Sequence, residues 1–175
     1  MIVMGMDPSL TSFGVAYRDV GGRLCANRIS TPGNKRGSER LDYLETTVAY
    51  YLDKYKPEVV AYEDYAYGKG PRNSNNLFGI GELGGVIKLL LYRRGVAILT
   101  VPPTSLKLFA TGSGRAEKSD VAAFIQETEG VTFATSDQSD AAALLKLGEM
   151  ATHTTMRPRL RTHPQRRAIA GCQWL

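Results

Sequence analysis

A chain of 175 residues, 43% hydrophobic and 22% charged, is long enough for one domain with its own core and needs no disulfide or zinc staples. No apolar run approaches the ~18 residues of a membrane-spanning helix, and the amino terminus lacks the basic stretch and cleavage site of a signal peptide, so a cytoplasmic protein is expected. The formal charge of +5 is uneven: from residue 151 onward come Arg157, Arg159, Arg161, Arg166 and Arg167 with no acid, while the other 17 basic residues balance the 17 acids. Residues 1–156 therefore read as a neutral folded domain and 157–175 as a basic tail. That tail is either an arm for a polyanion such as nucleic acid, since phosphate contacts release condensed counterions, or a merely solvated extension.

Residues 2–6 are apolar and β-prone and run into Asp7. Segments 12–18 and 23–30 read as two further strands around the Gly21-Gly22 turn, which makes an antiparallel meander of three. Over 39–55, Leu41, Leu44, Val48, Leu52 and Tyr55 recur at spacings of three and four, an amphipathic helix ended by Pro57. Val59 to Tyr62 is a buried strand ending at Glu63, followed by a polar, glycine-rich loop from about 67 to 76.

The next helix, about 77–94, contains Gly79, Gly81, Gly84 and Gly85. Each glycine costs roughly 1 kcal/mol relative to alanine, so close backbone approach to a partner helix is the compensating reason to expect. A fifth strand, 96–101, stops at Pro102-Pro103. Residues 105–109 start a short helix and Thr111 to Arg115 is a glycine loop. Helices over 117–128 and about 136–150 follow. Three strands, helix, strand, helix, strand, then helices predict an α/β fold, a five-stranded mixed sheet flanked by helices on both faces.

Cys25 and Cys172 match no zinc or redox spacing and read as reduced thiols, with Cys25 inside a strand; His153 and His163 have no second ligand at metal spacing. Four acids carry the chemical signal. Asp7 and Glu63 end strands, and Asp137 and Asp140 lie three apart at one helix start, hence on one face. Singly each has an ordinary role: Asp7-Pro8 as a turn opener, Glu63 beside Asp64 as a solvated strand end, Asp137 and Asp140 as acids favoured by the helix dipole. Together, on this strand order, they predict a cluster of four carboxylates stable only with cations, and an all-oxygen ligand set points to Mg²⁺ or Mn²⁺ over zinc.

The string MGMDPSLTSFGVAY resembles the first-strand motif of the RuvC family of Holliday-junction resolvases, with Asp7 as its metal-bridging acid. VVAYED resembles that family's fourth strand with Glu63, TGSGRAEKSDV its loop and helix start with a phosphate-facing lysine, here Lys118, and SDQSDAAALL its closing acidic pair, Asp137 and Asp140. PPTSLK aligns Lys107 with a second basic residue near the scissile phosphate. The similarity runs over roughly residues 1–152 in order. It implies an RNase H-like fold, a homodimer through the glycine-rich helix, and a metal-dependent endodeoxyribonuclease of DNA recombination and repair that recognises four-way junctions. The implied site holds two Mg²⁺, replaceable by Mn²⁺, on the four acids. Lys107 and Lys118 offset charge on the phosphate, and paired nicks leave 5′ phosphates and 3′ hydroxyls.

Where sequence-selective members place a Phe after the second acid, this chain has Ala66 between Tyr65 and Tyr67; either tyrosine stacks on an unpaired base or both are ordinary half-buried aromatics. The following loop adds Lys69 and Arg72, which with Arg115 and Lys118 make the expected DNA-binding set. Divergence of this kind resembles phage-encoded members. Other classes remain to be weighed: a broader debranching nuclease, a junction-binding protein that does not cut, and a sugar-kinase or actin-like ATPase. The last needs a second domain and a second phosphate motif for which 175 residues leave no room.

Overall fold

The computed structural model describes residues 1–64, 74–152 and 162–175, with the side chains of 74–77 excepted. Tyr65, Tyr67, Lys69 and Arg72, together with Arg157, Arg159 and Arg161, lie outside the described residues. Strands β1 (Val3–Asp7), β2 (Ser12–Arg18) and β3 (Leu24–Ser30) form the expected meander, and helix α1 (Gly37–Tyr55) follows. Then come β4 (Val59–Glu63), α2 (Ser74–Arg93) and β5 (Ala97–Val101). Both β1·β4 and β4·β5 pair in parallel, so each needs a helical crossover, and α1 and α2 supply the two.

Helix α3 (Pro103–Thr111) begins earlier than its apolar pattern suggested, because a proline is tolerated at the first helical position, where its missing N–H would have no partner. Helices α4 (Lys118–Glu129) and α5 (Ser136–Thr152) complete the part anticipated from sequence. The sheet, however, has six strands. Residues 162–175 do not hang free: they form α6 (His163–Ala170) and β6 (Gln173–Trp174), and β6 pairs antiparallel with β5 to close that edge. Helix α6 packs on α3 with Ala168 fully buried, and its Thr162/Gln165 capping box satisfies the helix start.

The strand order is β3-β2-β1-β4-β5-β6. Period-two alternation splits the core into two layers. Met4, Met6, Phe13, Val15, Val60 and Tyr62 face α1 and α2. Ala16, Ala61, Leu99 and Val101 face the layer of α3 to α6. Asp7 has the parity of Val3 and Gly5, and Glu63 that of Val59 and Ala61, so both acids point to the α5 side.

Helix α5 lies directly on the sheet because small residues permit it. A Cβ on Gly5 would stand 2.0 Å from the Ala141 carbonyl oxygen, and one on Gly148 would stand 2.8 Å from Val3 Cγ1. The α4 and α5 ends are further locked to β2 by Arg18, which reaches Glu129 at 3.0 Å and Glu149 at 2.6 Å, while Lys146 also pairs Glu129.

Candidate active site

The parallel register of β1 and β4 runs Val3↔Val59 to Met6↔Tyr62, so one step further, at the carboxyl ends of both strands, Asp7 and Glu63 come side by side. In a doubly wound sheet this is where ligands bind. Helix α5 brings the other two acids over them. Thr135 and Gln138 form its reciprocal cap: the Thr135 N–H donates to Gln138 Oε1 at 3.2 Å, and the Gln138 N–H to Thr135 Oγ1 at 3.4 Å. Gln138 Nε2 also donates to the Ala26 carbonyl at 2.8 Å, which ties this helix start to β3.

Asp7 is only 7% exposed and Asp140 6%. Burial, then the Glu63 and Asp140 carboxylates, hold Asp7 well above the usual carboxylate range, and Asp7 shares a hydrogen bond with Glu63. Burial pushes Glu63 up to about 7, with Asp140 adding to the rise and Lys118 and Lys107 opposing it. Asp140 is raised by burial while Lys118 pulls it back. Carboxylates crowded in a dry site carry repulsion that a cation would relieve.

Lys118, the first residue of α4, is the cation on hand: its Nζ lies 3.2 Å from Asp140 Oδ2. Burial works against its charge, but Asp140, Asp7 and Asp137 hold its pKa above the ordinary lysine value. The α4 start is set by Asp120, whose carboxylate accepts the Glu117 N–H at 2.9 Å. Lys107 on α3 lines the same pocket of about 210 Å³ together with Glu63, Pro103, Leu106, Lys118, Val121 and Asp140.

The four acids are thus brought to one end of the sheet, but not as one symmetric cluster. Asp7, Glu63 and Asp140 interact directly, whereas Asp137 accepts a hydrogen bond from Ser12 Oγ and acts on Asp140 and Lys118 only through its charge; of the four, Glu63 and Asp140 line the pocket. Among the described residues no three acidic, histidine or cysteine side chains converge tightly enough to cage an ion unaided. The donor chemistry nevertheless fits a hard divalent cation: the candidate ligands are all carboxylate oxygens, and Asp7, Glu63 and Asp140 stay raised even with the Lys118 ammonium against Asp140.

Arg115 lies outside this pocket, in a larger open groove of about 530 Å³ with Ser113, Asp120, Phe124 and Glu127. That groove lacks the paired strand-end acids, so size does not mark the chemistry here. Ser12 and the glycines under α5 were not singled out from the sequence. The only local signal for the glycines was the small residue beside each acid-bearing strand segment, Gly5 before Asp7 and Gly14 opposite it.

The profile of the family described as crossover junction endodeoxyribonuclease RuvC matches residues 3–146. The crossover junction endodeoxyribonuclease RuvC of Frankia casuarinae is 33% identical over 151 residues, covering 82% of this chain and 86% of its own length. That of Rhodococcus jostii is 32% identical over 151 residues, covering 82% and 78%. Thermus thermophilus RuvC, solved in complex with a Holliday junction substrate, superposes with a TM-score of 0.75 at 24% identity over 100% of this chain and 99% of its own, which establishes the shared fold. Matched by the family profile over most of its length, and at a third identity to curated members, the chain belongs to the RuvC family of crossover junction endodeoxyribonucleases.

Proposed function

We propose that the protein resolves four-way DNA junctions by paired, Mg²⁺-dependent phosphodiester hydrolysis, two ions per site, with Mn²⁺ able to substitute. The family is one of metal-dependent nucleases acting on crossover junctions. The observation that carries the reading to this chain is the group of buried Asp7, half-buried Glu63 and buried Asp140, formed where α5 crosses the ends of two parallel strands, with Lys107 and Lys118 beside it.

Asp7, Glu63, Asp137 and Asp140 would hold the ions. Bound there, divalent metal supplies an activated water and charge stabilisation at the departing 3′ oxygen. The protein's own contribution is placement and field. Lys107 on α3 and Lys118 on α4 line one pocket with Glu63 and Asp140, where their positive charge would offset the negative charge that develops on the scissile phosphate. Products with 5′ phosphate and 3′ hydroxyl ends are ready for ligation.

Two matched nicks require two sites related by a twofold axis. Helix α2 offers the surface. Phe78, Leu89 and Tyr92 are exposed on it, and an added Cβ at Gly81 or Gly85 would meet nothing within 4 Å. Glycines that leave open space on an apolar stripe suit close approach of a second copy of the same helix. Arg115, Lys118 and the Tyr65–Arg72 segment are the proposed DNA contacts, with the arginines after residue 156 extending them. No helix among the described residues is long and apolar enough to cross a membrane.

The test is cleavage of a synthetic four-way junction with Mg²⁺ or Mn²⁺, beside linear duplex, a three-way branch and a flap. Symmetric paired nicks in the four-way junction alone are expected. Cutting of every branched form would replace the reading with a debranching nuclease. Binding by a folded dimer with no cutting in either metal would make it a junction-binding protein.

A further inference from the structure

Asp137 and Asp140 are neighbours on one face of α5, yet different partners hold them. Asp140 is paired with Lys118 at 3.2 Å, whereas the Asp137 carboxylate accepts the Ser12 hydroxyl. Ser12 opens β2, and its own N–H donates to Ser9 Oγ at 3.2 Å, so the turn after Asp7 fixes where its hydroxyl stands. Two residues on, with the same parity in the strand, is Gly14, the register partner of Asp7. A Cβ on Gly14 would lie 2.2 Å from the Asp137 carbonyl oxygen and 2.9 Å from its carbon. Ser12 and Gly14 together form a seat for Asp137: the glycine leaves room for its backbone, and the serine grips its side chain.

We propose that Ser12 is a positioning residue that orients the Asp137 carboxylate as a ligand for the divalent ion. The inference rests on the reading of Asp137 as a metal ligand. A carboxylate has about four lone-pair directions, and one hydroxyl occupies a single one of them, leaving the rest for a cation. A ligand already held in one rotamer also binds without the entropy cost of freezing it. Partners of this kind set metal affinity, and their loss typically weakens it 10- to 100-fold. A purely architectural tether between β2 and α5 would lower the melting point on removal but leave metal affinity of the folded protein alone.

The experiment uses the full chain and Mn²⁺ alone, without DNA, with free Mn²⁺ followed by electron paramagnetic resonance. The metal dependence of junction cleavage is measured alongside. Ser12→Ala should weaken Mn²⁺ binding about 10- to 100-fold and move the half-saturating metal concentration by the same factor. The half-saturating metal concentration should move by a larger factor than the cleavage rate at saturating metal, and Ser12→Thr should restore the affinity. Ser12→Cys, near-isosteric with a weak donor, takes the place of Ser12→Ala if the latter does not fold. Asp137→Asn is the benchmark. If it loses Mn²⁺ while Ser12→Ala binds normally, the role assigned to Ser12 is wrong and the ligand assignment stands. Tighter binding by Ser12→Ala would mean that the serine holds Asp137 away from the ion, which also overturns the proposal. Unchanged Mn²⁺ binding by Asp137→Asn would remove the ligand reading itself.

Discussion

Gly5→Ala is the sharpest test of how the fold delivers the α5 acids to the strand-end acids. The added methyl would stand 2.0 Å from the Ala141 carbonyl oxygen and 2.5 Å from the Leu145 nitrogen. Both are backbone atoms in the middle of a helix and cannot rotate aside. Ordinary contact begins near 3.4 Å, so α5 must lift from the sheet by about 1.4 Å, or β1 must sink by as much. Overpacking of this kind costs roughly 1–3 kcal/mol, a fall in melting temperature of several degrees for a chain of this size. The catalytic cost should be larger in proportion, because Asp140 precedes Ala141 and Asp7 lies two residues from Gly5. A displacement on the order of 1 Å between reacting groups can lose about 10²-fold in rate. Urea denaturation gives the first quantity and single-turnover cleavage of a four-way junction, at temperatures where the variant is fully folded, gives the second. A Gly5→Ala protein with the parental denaturation midpoint and rate would refute the close seating of α5 on β1.

Asp7→Asn should abolish cleavage while junction binding persists, and without metal it should raise stability by on the order of 1 kcal/mol, since a buried, repelled carboxyl is replaced by a neutral group; calorimetry in chelator checks the second part. Glu129, held down to about 2 first by its hydrogen bond to Arg18 and then by Lys146, contributes stability that is fully present above the ordinary carboxylate pKa and is lost as pH falls through about 2. Glu129→Gln should therefore cost about 1–2 kcal/mol at neutral pH after allowance for partial exposure, with the gap to the parent closing below pH 4.5 in urea titrations. Gly81→Leu should leave folding intact, because its side chain meets open space, yet shift the proposed dimer to monomer in analytical ultracentrifugation; an unchanged dimer would move the interface elsewhere. Replacing exposed Arg166 and Arg167 together by alanine should reduce the slope of log K against log[salt] for junction binding by about 1–2. An unchanged slope would make α6 a purely structural cover.

Truncation would not isolate the charge of these residues. Deleting everything after residue 156 would strip α6 from α3, which carries Lys107, and uncover the β5 edge. The sequence treated these residues as a basic tail because their composition is dominated by charge and their apolar pattern is thin. Helix α6 buries only Ala168 completely, and β6 is two residues long, too short for any alternation to register. One local clue was present in the Thr162–Gln165 capping pair, which marks a helix start independently of hydrophobic pattern.

Local order was legible wherever burial imposes a period. The continuous apolar runs of β1 and β4 and the three-four spacing of Leu44, Val48 and Leu52 follow from which side chains must leave water, and the acids stand out because they end those runs. Those signals placed five strands, five helices and the acid-bearing positions, because each depends on neighbours a few residues away. What only the tertiary structure decided are relations across long separations. Ser12 meets Asp137 125 residues away, and Gly5 and Gly14 show their purpose only once α5 lies on them. The unequal partners of Asp137 and Asp140 belong to the same class. Sequence periodicity records the face a residue turns to the core, since that is a property of the local backbone; the atom it meets there is set by the packing of elements that are remote in the chain.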